Sequence, residues 1–538
     1  MFRRSKKSDE TAGVGSAAAG EGLVLSGRNW GQVPRIGSRG MLGPGGGRVS
    51  YLDLPTEYRG TSRQVCGLWP YVVGAGTPMV GVPLGRNIVT GATLCCDPIA
   101  WFERANLISN PSMFTLAKPG LGKSTINRRM IVGLDYRGTV SLVPGDTKGE
   151  YTALMRALGG QVIQLGRGMG ALNPLDLGEM GSAASRLVGS ARHSLLQEAT
   201  GRRSTMVAAL IAIVRKSLIT GDEEALLGRA IELLDDTDLG RPPILGDLAQ
   251  LLKDGPEALR RMVLADGNDD KYRLAIEPLL KSLMSLVEGP LANTFNRQTS
   301  ERLSLDRPVS IDLSSIPASE KTLEGAVLLT CWAEAFASIE AHDRLTAAGL
   351  EPRRNFFLVL DELWRILRAG VGLVDRVDEL TRLNRQIGIG QSMTTHSTAD
   401  LLSLPNPEDR EKAKGFVERS GMVFLGGLPR AEMDALNAIV PLSSRERELI
   451  VEWSIPPGID NKTGKEMPPP GRGKFLVKAG ANAGIPIQTA LTSAEIKLND
   501  TNERWANRIA DDEDPAGVLD LSKAASAARD AARAGAGR

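Results

Sequence analysis

Residues 117–124 read AKPGLGKS, after an apolar run at 113–116 and before a helical pattern at 125–132. A glycine-rich stretch closing on Gly-Lys-Ser between a strand and a helix predicts a phosphate-binding loop, and each position has a physical role. Gly120 and Gly122 let the backbone turn with its N–H groups inward, a concave nest suited to phosphate oxygens. The helix beginning near Lys123 adds the partial positive charge of its N-terminus. Lys123 would reach the β- and γ-phosphates and the Ser124 hydroxyl would ligate Mg²⁺. The whole loop, Ala117, Lys118, Pro119, Gly120, Leu121, Gly122, Lys123, Ser124 and Thr125, is then the expected nucleotide cradle. Ala117 stands where the usual pattern has its first glycine. Alanine gives up positive φ, so this position must lie in an ordinary region of backbone space.

The rest of the chain has room for such a domain and more. Its 538 residues carry 65 Lys and Arg against 63 Asp and Glu, a formal net charge of +2. That balance argues against a surface built to coat nucleic acid, although a local basic channel is invisible in a sum. The four cysteines, Cys66, Cys95, Cys96 and Cys331, fit a reduced cytosol without a disulfide framework. The charged start, MFRRSKKSDE, lacks the apolar stretch of a secretory signal. Residues 68–85 are uncharged, but Pro70, Pro78, Pro83 and several glycines would break a spanning helix there. No transmembrane segment is expected.

Residues 1–60 are rich in Gly, Ser and Arg and read as a flexible arm. A short β-rich lead-in follows at 61–110, with a hairpin expected at 80–89. Strands at 140–143, ending at Gly145 and Asp146, and at 161–165 alternate with helices at 124–136 and 151–158. That spacing implies an α/β fold with a mainly parallel sheet, which binds ligands at the carboxyl ends of its strands. Helical periodicity takes over in an insertion at 179–305, for instance Leu226, Ala230, Leu233 and Leu234 on one stripe. His193, with no partner at metal spacing, is read as an ordinary surface histidine. Strands return at 309–313, 356–360, 389–395, 422–425 and 474–477. Between the first two of these lies an apolar helix whose Cys331 and Trp332 are read as core. An Ala- and Arg-rich tail occupies 506–538.

The run FFLVL at 356–360 ends in Asp361 and Glu362. Two acids closing an apolar strand are costly unless negative charge is needed there, and a nucleotide's Mg²⁺ needs it. Asp361 would hold the metal through water, and Glu362 would polarise the attacking water. The plainer alternative is that Asp361 caps the helix starting at Leu363. Thr395 and His396, at the end of 389–395, can sense a γ-phosphate. Arg382 and Arg385 either serve the helix dipole or act in function.

With these residues in place, the chain resembles the conjugative-transfer ATPases of type IV secretion systems, the TraC/TrbE group of the HerA/FtsK superfamily. The resemblance spans residues 81–505. It rests on an ordered series: PLGR at 83–86, the phosphate loop, GDTKGEYTALMRALGGQVIQL at 145–165, NPLDLG at 173–178, FNRQTS at 295–300, VSIDLSSI at 309–316, LDELW at 360–364 and DTNERW at 500–505. It implies a RecA-like P-loop NTPase, with motor parts at 111–178 and 306–505 split by the helical insertion. It also implies a homo-hexamer that hydrolyses ATP with Mg²⁺ to energise assembly of, or transfer through, a secretion channel. Localisation would be cytoplasmic, peripheral to the inner face of the membrane, with channel proteins as partners. Arg385 is the candidate arginine finger between subunits. Two departures stand out: His396 replaces the usual sensor glutamine, and the family's large N-terminal domain is missing or reduced, so a separate docking protein is expected. A DNA-translocating pump is the first alternative, not favoured because no basic run is present. An ATP-binding scaffold with little hydrolysis is the second.

Overall fold

The computed structural model describes residues 76–499 apart from 167, 318, 371, 383–387 and 460–466. The arm at 1–60, the start of the lead-in, Arg385, DTNERW and the tail lie outside the described residues. Strands are β1 (Pro83–Asn87), β2 (Thr93–Cys95), β3 (Ser112–Leu116), β4 (Val140–Asp146), β5 (Gln161–Gln164), β6 (Val309–Asp312), β7 (Phe356–Leu360), β8 (Ile389–Thr395), β9 (Met422–Leu425), β10 (Lys474–Lys478) and β11 (Ile485–Thr489). They form one 11-stranded sheet in the order β2-β1-β11-β10-β9-β3-β8-β7-β4-β6-β5. From β9 to β5 neighbours run parallel. From β9 outward to β2 they are antiparallel.

The parallel strands read as unbroken apolar runs because both of their faces are covered. Phe356, Leu358 and Leu360 of β7 enter one core with Phe114 and Leu116 of β3. Phe357 and Val359 enter the opposite core with Met113, Ile126 and Phe424. The expected hairpin at 80–89 is corrected: that stretch supplies β1 alone, and its partner β2 comes after a turn at 88–92. Asn87 makes the turn, its side chain accepting from the N–H groups of Val89 and Thr90. The PLGR strand is fixed at both ends of the motif. Pro83 offers its carbonyl to Arg129, and a Cβ on Gly85 would stand 2.2 Å from the Gln488 carbonyl oxygen on β11.

Between β5 and β6 the chain is helical from Gly178 to Phe295. The NPLDLG and FNRQTS motifs close its two ends on each other. Thr299 and Ser300 hydroxyls accept from the N–H groups of Asn173 and Ala171, while Asn173 donates to the Pro243 carbonyl. His193 is exposed, and Cys331 and Trp332 are fully buried. The 27-residue helix Lys321–Ala347 is long and apolar enough to cross a membrane, but 78% of that stretch is buried inside the protein. It is the core helix against which the sheet and the helix Gly189–Arg215 pack. Glu324 near its start pairs with Arg365, and toward its other end Glu340 and Arg344 pair with Arg202 and Glu198.

Candidate nucleotide site

Register brings the sequence-distant residues together. Leu116 lies beside Thr395, so the phosphate loop leaves β3 next to His396, and Leu360 lies beside Met393, which sets Asp361 level with Thr394. Because β8 sits between β3 and β7, both acids face the loop from the same end of the sheet.

The loop itself has the required shape. Gly120 and Gly122 take φ of 78° and 103°, and Ala117 is not among the residues with positive φ. A Cβ on Gly120 would meet nothing within 4 Å, so the loop curves around open space. The helix Lys123–Asp135 starts without any side-chain cap, which leaves its first N–H groups free to bind an anion. Bracing comes from the sheet's antiparallel side: Lys118 N–H donates to the Gly427 carbonyl, Lys118 Nζ to the Ser454 carbonyl, and Gly473 N–H to the Leu121 carbonyl.

Alanine at position 117 has a partner in glycine at position 426. A Cβ on Gly426 would stand 2.6 Å from the Ala117 Cβ. Gly426→Ala is therefore expected to cost about 1–3 kcal/mol by overpacking. Adding Ala117→Gly should recover most of that loss, as read from denaturant midpoints of the single and double variants.

Lys123 is buried, donating to the Ala117 carbonyl at 2.8 Å and the Lys118 carbonyl at 3.4 Å, and it lies 2.8 Å from His396 Nδ1. Burial lowers its pKa to about 8 against the opposing pull of Glu362 and Asp361. His396 Nε2 is 3.0 Å from Glu362 Oε2. A neutral imidazole with its proton on Nε2 satisfies both contacts, accepting from Lys123 and donating to Glu362. The Trp364 indole also donates to Glu362 Oε2, at 2.5 Å, and Lys148 Nζ approaches Oε1 at 2.5 Å. Burial disfavours charge on Glu362, but the His396 bond and the Lys148 ammonium outweigh it and hold the carboxyl well below the usual range.

Glu362 is one of few non-glycine residues in the left-handed region, with φ 54° and ψ 41°. That conformation costs about 1–2 kcal/mol and is retained where function needs the side chain's aim. Asp361 does not cap the following helix. Its carboxylate accepts from the Tyr151 hydroxyl at 2.9 Å, the Thr394 hydroxyl and the Glu362 N–H at 3.0 Å. Buried Asn127, on the phosphate-loop helix, donates to the Tyr151 hydroxyl at 3.4 Å and extends this network. Desolvation, followed by the neighbouring Glu362 charge, raises the Asp361 pKa.

Thr394, not singled out in the sequence, is the threonine that reaches Asp361; Thr395 on the other face contacts Asp400 at 3.4 Å. Asp146, at the end of β4, organises the GDTKGEY loop. It accepts from the N–H groups of Lys148, Glu150 and Tyr151, and burial raises its pKa to about 6. Lys148 and Trp364 lay inside motifs quoted for the resemblance, but nothing local in the sequence announced their contact with Glu362. Ser124 and Thr125 sit half-buried at the helix start. An apolar cavity of about 350 Å³ opens elsewhere, between Met206 of helix Gly189–Arg215 and Leu329 of the core helix, and no phosphate-loop residue lines it.

Together, a glycine-bearing loop at the end of β3, an acid pair at the end of β7 and an interposed β8 define a P-loop NTPase of RecA-like fold. Among solved structures, the chain is similar to VirB4 of Thermoanaerobacter pseudethanolicus, with TM-score 0.59 and 19% identity over 79% of this chain and 100% of that one. Plasmid coupling protein TrwB in complex with ADP and Mg²⁺ gives a TM-score of 0.45 at 11% identity, over 78% and 97%. No protein-family model and no curated protein matches the chain.

Proposed function

We propose that the chain is an ATPase motor that energises assembly of, or substrate transfer through, a type IV secretion or conjugation channel. The observation that carries the ATPase reading is the acid pair set across β8 from an open, uncapped phosphate loop. The ordered motifs and the fold shared with VirB4 support the secretion assignment.

The residues fit Mg-ATP. Gly120 opens onto the space a phosphate would take, and Ser124 and Asp361 would hold Mg²⁺, the latter through water because hydroxyls and an N–H already occupy its oxygens. Bound there, the metal would neutralise charge on the phosphate oxygens. Lys123 and the helix N–H groups bind and orient the phosphates. Glu362 accepts a proton from water as its oxygen bonds to the γ-phosphorus and the bond to the ADP oxygen breaks. Thr395 and His396 read the γ-phosphate.

Residues 111–178 and 306–505 act as one motor split by the helices of 179–305. It works as a homo-hexamer with Arg385 completing the neighbour's site. Channel proteins and a separate docking protein hold it at the cytoplasmic face of the membrane. Steady-state ATP hydrolysis measured with and without duplex DNA, at two salt concentrations, tests the assignment. Turnover indifferent to DNA is expected. Many-fold stimulation that fades as salt rises would replace the secretion reading with a DNA translocase.

A further inference from the structure

Glu362 is fully engaged in this conformation. One oxygen faces Lys148 and the other takes His396 and Trp364, and the carboxylate is only 6% exposed. A carboxylate so occupied has no free lone pair well placed to take a proton from water. Lys148 differs from the other two partners in being movable: its side chain is 46% exposed, on a four-carbon stem. The loop beneath it is rigid, pinned by three N–H bonds to Asp146, with Gly149 at φ 69°. The ammonium can thus swing while its anchor stays fixed.

We propose that Lys148 is a positioning residue that restrains Glu362 until a γ-phosphate arrives, and then leaves the carboxylate for that phosphate. The inference rests on the ATPase reading. A triphosphate carries more negative charge than the Glu362 carboxylate and competes for the same ammonium. Transfer of Lys148 frees Oε1 to face water and adds a charge-assisted bond that ADP cannot form. A diphosphate leaves the restraint in place, so only the triphosphate state holds Glu362 ready.

The test compares binding of ADP and of the non-hydrolysable analogue AMP-PNP, both with Mg²⁺, by calorimetry. Lys148→Met should weaken AMP-PNP by about tenfold and leave ADP within about twofold, and Lys148→Arg should restore most of the difference. Trp364 emission, taken as the difference between wild type and Trp364→Phe, should change with AMP-PNP and not with ADP. Equal loss for both nucleotides, or loss for neither, would overturn the exchange while leaving nucleotide binding intact. Should Lys148→Met fail to fold, the wild-type emission still decides, since an equal change with ADP also overturns it. A wild type that binds neither nucleotide removes the ATPase reading and this inference together.

Discussion

Lys123→Ala is expected to abolish tight binding of both ADP and ATP, weakening each by at least about a hundredfold. Two losses combine. The ammonium that would meet the phosphates is removed, and so is the tie across the loop from Nζ to the Ala117 and Lys118 carbonyls. Folding should survive. Lys123 is a buried cation whose charge is disfavoured by desolvation, and its nearest non-backbone partner is the neutral His396. Removing a buried charge of this kind is commonly neutral for stability. The thermal midpoint of the nucleotide-free protein should therefore stay within a few degrees of wild type while calorimetry detects no tight binding. ADP affinity within about threefold of wild type would take Lys123 out of the phosphate site.

Glu362→Gln should separate binding from chemistry. Turnover is expected to fall by about 10²–10⁴-fold, the usual contribution of a positioned general base, with ATP affinity retained. Glutamine keeps the length and the backbone preference of glutamate, so the left-handed conformation at φ 54° is no worse served. It still has an oxygen to accept from Lys148 or from Trp364. What it lacks is basicity. Single-turnover assays with trapped ATP would show the effect directly. Normal turnover would remove Glu362 from the role of base, and background turnover in wild type and variant alike would favour a nucleotide-binding scaffold.

The strands that build the parallel half of the sheet were legible because burial on both faces leaves a plain signal. FFLVL and MVFL are apolar at every position, and their edges fall at Phe356–Leu360 and Met422–Leu425. The antiparallel edge was harder to read. β2 has three residues, and β11 (IPIQT) contains a proline and exposes part of its length, so neither alternation nor continuous apolarity marks it. The loop and acid pair were legible for a different reason: their chemistry is written in consecutive residues. Lys148, Thr394 and Trp364 could not be read in the same way. Thr394 and Thr395 are adjacent and chemically identical, and only the register between β7 and β8 decides which one meets Asp361. Lys148 meets Glu362 across 214 positions of sequence, a contact that exists only once the sheet order is known.

The core helix Lys321–Ala347 gives this arrangement a mechanical property. At 1.5 Å per residue its 27 residues form a rod about 40 Å long. One end is tied through Glu324 to Arg365, the residue after the tryptophan that touches Glu362, and the other through Glu340 and Arg344 to the helix Gly189–Arg215. A tilt of about 3° pivoting at the Arg365 end carries the far end through about 2 Å over that length. The rod is a lever arm, and it gives small rearrangements beside the acid pair a larger stroke among the helices that stand away from the sheet.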